Sequence, residues 1–109
     1  MDARPQPDLA QALELLWQRF LPQMLERVAV LETAAAACAS GKLSAALTRA
    51  AHHAAHKLAG SLGSFNLTRG SVLAHELEML YSAADQPDAI QAPQLASLAT
   101  ELRSLIETR

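Results

Sequence analysis

Ala54-Ala55-His56-Lys57-Leu58-Ala59-Gly60-Ser61-Leu62-Gly63-Ser64-Phe65 has the spacing of the second half of a helix, yet it holds two glycines where a helix does not favour them. At about 100° per residue, with His56 as the zero direction, Leu43, Leu47, Ala54, Leu58, Leu62 and Phe65 lie within about 60° of the opposite direction. Those six form the core stripe, and His56 points away from it. Around His56 on the outer face stand Arg49, His52, His53, Ala59, Gly60 and Gly63. One turn beyond the imidazole the helix therefore has almost no side chain. Each glycine costs about 1 kcal/mol relative to alanine in a helix. Close approach of another backbone or of a bulky partner is the usual compensation. An exposed histidine beside a bare stretch of helix is open to a partner that must reach an imidazole nitrogen.

Towards the amino terminus, Leu9, Leu13, Leu16, Trp17, Phe20, Leu21, Met24, Leu25, Val28, Leu31 and Ala35 recur at spacings of three and four. Gln11, Glu14, Gln18, Arg19, Gln23, Glu26 and Arg27 fill the other side, which is the pattern of an amphipathic helix. Asp8 suits its N-cap, and residues 1–7, with two prolines, read as a loose segment. Pro22 would cost about 3 kcal/mol inside a regular helix. A kink near residues 18–22 is expected, or a short helix followed by a longer one with Pro22 in its first turn. Ser40-Gly41 ends the element, and Ser44 or its predecessor opens the next.

Towards the carboxyl terminus, Asn66-Leu67-Thr68 reads as a tight turn, with Asn66 left-handed and Thr68 as an N-cap. A third helix over about 69–82 turns Val72, Leu73, Leu77 and Leu80 inward, with Tyr81 at the margin. Asp85-Gln86-Pro87-Asp88 is a loop, and a last helix begins near Ala92-Pro93 with the stripe Leu95, Leu98, Ala99, Leu102, Leu105 and Ile106. Four amphipathic helices with short connections predict an all-α, up-and-down four-helix bundle over residues 8–109.

Composition narrows the function. The chain has 109 residues, enough for one modest core, and half of them are apolar. A net charge of −2 leaves no electrostatic footprint for nucleic acid and no polybasic segment for an anionic membrane. Neither a signal-peptide pattern nor an apolar run of about 18 residues is present, so a cytoplasmic chain is expected. The one cysteine, Cys38, sits in an Ala-rich helical stretch as a small apolar residue without an activating group. Met24 and Met79 read as core fillers, Trp17 and Phe20 as core or as a cap over the bundle end. The acidic residues are scattered and are assigned to solvated faces.

His56-Lys57-Leu58-Ala59-Gly60-Ser61, with Phe65 and a turn residue at 66, resembles the motif of histidine-containing phosphotransfer domains. Two positions depart from it: the usual lysine three residues after the histidine is Ala59, and the usual glycine ten residues after it is Asn66. The resemblance implies a four-helix bundle without kinase activity of its own. It implies that His56 accepts a phosphoryl group from the phospho-aspartate of a receiver domain and passes it to another receiver, or backward. Response-regulator receivers and a sensor or hybrid histidine kinase are the implied partners, with magnesium held by the receiver and no cofactor in this chain. Lys57 and Arg49 are the available cations in place of the missing lysine. Gly60 and Gly63 leave room for the receiver's loops, Ser64 can bond locally or to phosphate, and His52 and His53 shape the docking face.

Three other readings stand beside that one. A kinase domain could phosphorylate the bundle from ATP, as in the phosphoacceptor domain of a chemotaxis-type kinase. A helical adaptor could bind receivers without being phosphorylated. His52 and His56, at i and i+4, could hold a metal, but a third ligand is not evident because His75 and Glu78 belong to another helix. No metal site is therefore assigned, and a monomer is expected.

Overall fold

Four helices account for the fold, and no strand occurs among the described residues. They are α1 (Leu9–Ala39), α2 (Ala45–Ser64), α3 (Thr68–Tyr81) and α4 (Ala92–Glu107). The computed structural model describes residues 9–82 and 86–109. The loose segment 1–7, the Asp8 cap and Asp85 lie outside them.

Each helix packs against two others, in the circuit α1–α2–α3–α4 and back to α1. Contacts far apart in sequence set the directions. Trp17 near the start of α1 meets Phe65 after α2. Ser71 near the start of α3 reaches Ala59 near the end of α2. Glu14 on α1 meets Arg109 beyond α4. Successive helices are thus antiparallel, the up-and-down bundle that the apolar periodicity predicts. Val28, Leu31, Leu58, Leu62, Leu73, Leu77, Leu95 and Leu102 form the centre of the core, each at most 1 % exposed. Removing one such side chain from water is worth about 1.5–3 kcal/mol.

Local signals end the helices much as expected. Ser44 Oγ accepts from the Leu47 N–H at 3.0 Å and caps α2. Gly41 (φ 69°) follows α1 and Asn66 (φ 62°) follows α2, both in the left-handed region. Thr68 does not cap α3: it is the first helical residue, and Leu67, whose apolar side chain can make no hydrogen bond and packs half-buried on the core, occupies the cap position.

α1 runs through Pro22 as one helix of 31 residues, so the alternative of two separate helices is not taken. Pro22 and Gln18, whose carbonyl loses its helical donor, are both exposed, while Trp17 and Met24 on either side are buried. Packing on both flanks holds the helix together across the lost bond.

Several apolar residues expected inside are outside. Leu9 is exposed because α1, about 46 Å long, extends past the level at which α2 ends, while Leu16 and Phe20 stand at the open edge beside Ser61, Ser64 and Phe65. Val72 and Met79 are exposed because α3 touches only α2 and α4. Gly70, Leu73, Ala74, Leu77 and Tyr81 suffice for that seam. Trp17 does cap the bundle end. It meets the Phe65 ring edge-on at 5.3 Å and carries the Arg109 guanidinium 4.3 Å over its face.

Candidate functional site

α2 turns His56 to solvent, as the helical wheel predicts, and its side chain is 65 % exposed. The opposite side of the same turns, Ala54, Ala55, Leu58 and Leu62, is buried in the core. That anchorage fixes the direction of the imidazole without touching it.

The ring is not free. Its Nδ1 lies 2.9 Å from Glu78 Oε2 on α3. The His56 hydrogen bond is the chief reason that the Glu78 carboxyl is held below its ordinary value, against a smaller opposing effect of burial. An ionised carboxylate can only accept, so Nδ1 carries a proton, and in the neutral ring the lone pair is then on Nε2, on the other side. Two more imidazoles face the same carboxylate, His52 Nε2 at 3.9 Å from Oε2 and His75 Nδ1 at 3.5 Å from Oε1. Glu78 is thus no solvated surface acid, and its side chain is only 18 % exposed.

Ser71 Oγ donates to the Ala59 carbonyl at 2.8 Å and locks the two helices in this register. The result is one ring nitrogen turned outside and its partner nitrogen held from inside.

The remaining predicted site residues flank His56 on two sides. Arg49, His52 and His53 line a shallow depression of roughly 540 Å³ with Tyr81 and Ser82. On the other side, an added Cβ at Gly60 would meet nothing within 4 Å, and one at Gly63 would only touch Ser71 Oγ at 3.4 Å. Ser64 spends its hydroxyl on the Gly60 carbonyl at 3.1 Å, a local bond within α2. Next to it, Leu13, Leu16, Phe20, Ser61, Ser64 and Phe65 line a second depression of about 260 Å³. Lys57 is exposed and makes no ion pair among the described residues.

Sequence reasoning missed the role of Glu78 and His75. A signal was present: His56 stands ten residues before Asn66 and Glu78 twelve after it, so an antiparallel hairpin turning at Asn66 places them nearly level. His75 and Glu78, at i and i+3, share a face of α3. Among the described residues no group of three or more His, Cys, Asp or Glu has the geometry to hold a metal ion. Cys38 is 2 % exposed and its thiol donates to the Asp88 carbonyl at 3.1 Å; burial first, then the Asp88 charge, pushes it above its ordinary value. It plays no part in this site.

Two comparisons with known proteins bear on the whole chain. Protein RcaC of Microchaete diplosiphon is 32 % identical over 91 residues, which is 84 % of this chain and 14 % of that protein. The chain therefore spans only a small part of the curated relative it matches. No solved structure matches it. A family model described as Hpt domain matches residues 15–108, all four helices and the His56 face included, and the chain belongs to the Hpt, or histidine-containing phosphotransfer, domain family.

Proposed function

We propose that His56 is the phosphoacceptor of a phosphorelay, loaded from the phospho-aspartate of one receiver domain and unloaded onto another. The observation that carries this reading is the pairing of an exposed imidazole with a carboxylate that holds its Nδ1–H at 2.9 Å and leaves Nε2 free. The Nε2 lone pair attacks phosphorus in line with the bond to the donor's carboxylate. The N–P bond forms, the P–O bond breaks, and its electron pair leaves on the donor's aspartate. The Nδ1 proton stays in the hydrogen bond to Glu78, which stabilises the positive charge growing on the ring. Unloading reverses the step onto a second aspartate.

Gly60 and Gly63 give the incoming domain room beside the ring, with Ser64 folded back onto α2. Arg49, His52, His53 and Lys57 supply positive or protonatable groups around the phosphoryl position. Magnesium is assigned to the receiver's carboxylates, and this chain is given no cofactor. Hpt domains transfer phosphoryl groups and are not kinases. No helix among the described residues is long and apolar enough to cross a membrane.

The test is phosphate incorporation from a panel of phosphorylated receiver domains into the wild type and His56→Gln. Acid-labile, base-stable label in the wild type and none in the variant is the expected result. Label that appears only with a kinase domain and ATP would move the donor to the chemotaxis-type alternative. Binding of receivers without label would make the chain an adaptor.

A further inference from the structure

Three histidines turned towards one carboxylate are more than the orientation of His56 requires. Glu78 already accepts from His56 Nδ1 at 2.9 Å, while His52 Nε2 at 3.9 Å and His75 Nδ1 at 3.5 Å stand at ion-pair distance rather than in hydrogen bonds. Sharing Oε2 brings the His52 and His56 nitrogens to within about 7 Å of each other, close enough for a charge on one ring to act on the other. One turn beyond His56, where a lysine would offer permanent charge, stands Ala59, packed half-buried against the core.

The fixed cations of this face are on α2 and make no ion pair with Glu78 among the described residues. Arg49 and Lys57 on α2 make no ion pair among the described residues, and both are exposed. His53 is exposed on the same helix. On α3, Glu76 adds negative charge, Arg69 is bound to Glu101, and Tyr81 is buried with its hydroxyl pushed up to about 12. The ion pairs of α1 and α4 join those two helices to each other, α4 to itself or α4 to Arg69, and among the described residues none reaches Glu78.

A phosphoryl group brings about −1.5 to −2 charges. On His56 it joins a carboxylate that is already ionised. We propose, on the reading that His56 is the phosphoacceptor, that His52 and His75 supply the countercharge by taking a proton from solvent when His56 is phosphorylated. The proton adds to the lone-pair nitrogen of His52 or His75, and the resulting imidazolium keeps its other N–H towards Glu78. The P–O to N–P exchange described above is otherwise unchanged, so one proton from water is the only addition. Because the phosphorylated form binds more protons, loading becomes more favourable as pH falls. Its equilibrium constant changes by up to tenfold per pH unit for each proton taken, across the window between the titration midpoints of the unloaded and loaded forms. A lysine at 59 would give a site of fixed charge; this pair gives one that responds to pH.

The experiment is a side-chain NMR titration of the histidines from pH 5.5 to 9, before and after phosphorylation of the whole chain by phosphoramidate, with ³¹P detection of the product. The expected result is an upward move of about one pH unit in the midpoint of His52, His75 or both in the phosphorylated form. Ala59→Lys, which restores a fixed cation, should shrink that move by half or more. A phosphohistidine signal at His56 with both midpoints unmoved within about 0.2 unit would overturn the proposal and leave the phosphoacceptor reading intact. A phosphohistidine signal that persists in His56→Gln would overturn the phosphoacceptor reading, and the proposal with it.

Discussion

Replacing Glu78 by alanine separates the orientation of His56 from its mere exposure. The wild-type contact is a hydrogen bond of 2.9 Å to an ionised acceptor, a class worth about 1.5–3 kcal/mol when water is excluded. Here the acceptor side chain is 18 % exposed and the ring 65 %, so solvent competes for both and the lower end applies. Losing about 1.4 kcal/mol of preference for the protonated Nδ1 and the outward Nε2 lowers the reactive fraction about tenfold. Single-turnover phosphorylation by phosphoramidate and by a phosphorylated receiver should therefore be about tenfold slower in Glu78→Ala. In Glu78→Gln, whose amide oxygen still accepts from Nδ1, it should be only about threefold slower. Thermal unfolding of both variants should stay within a few degrees of the wild type, since no core contact is removed. A correctly folded Glu78→Ala that is labelled on His56 at the wild-type rate would refute the claim that α3 prepares the nucleophile.

Further outcomes follow from single positions. At Gly60 an added Cβ meets nothing within 4 Å, so Gly60→Ala should raise stability by about 0.5–1 kcal/mol in urea unfolding. Gly60→Gln should also fold but slow transfer from a receiver at least tenfold, with phosphoramidate labelling spared; equal rates from the receiver would show that the bare stretch is not a docking surface. Gly70 behaves oppositely: a Cβ there would stand 3.1 Å from Leu62 Cδ1 inside the core, so Gly70→Ala should lose about 1 kcal/mol despite its better helix propensity. Lowering the pH through the depressed Glu78 value protonates the carboxylate and removes its contribution to folding, which is fully present only above the ordinary carboxylate range. The stability difference between wild type and Glu78→Ala should accordingly vanish towards about pH 3, as read by urea unfolding at fixed pH values from about 3 to 7.

The direction of His56 was legible in the sequence because a helix converts spacing into direction by local geometry. Six apolar residues behind it and two glycines beside it left one choice, and the four-helix order followed from the same periodicity. The ends of α2 were legible too, since Ser44 and Asn66 act on their own backbone. Burial was less so: Phe20, Val72 and Met79 have apolar side chains at helical spacing, but their exposure depends on which faces the neighbouring helices cover. Pro22 left a kink or a break open for the same reason, and packing of Trp17 and Met24 on either side keeps α1 one helix.

By itself, then, the sequence determined a helical bundle and a histidine turned outward on a bare helix face, both consequences of interactions within a few turns of one helix. The tertiary structure alone decided what stands behind that histidine. The α2–α3 register, set at Asn66 and locked by Ser71 on the Ala59 carbonyl, carries Glu78 to His56 and gathers His52 and His75 around it. Residues 22 apart in the chain meet because two helices pack side by side at one level, and no periodicity within either helix encodes that meeting.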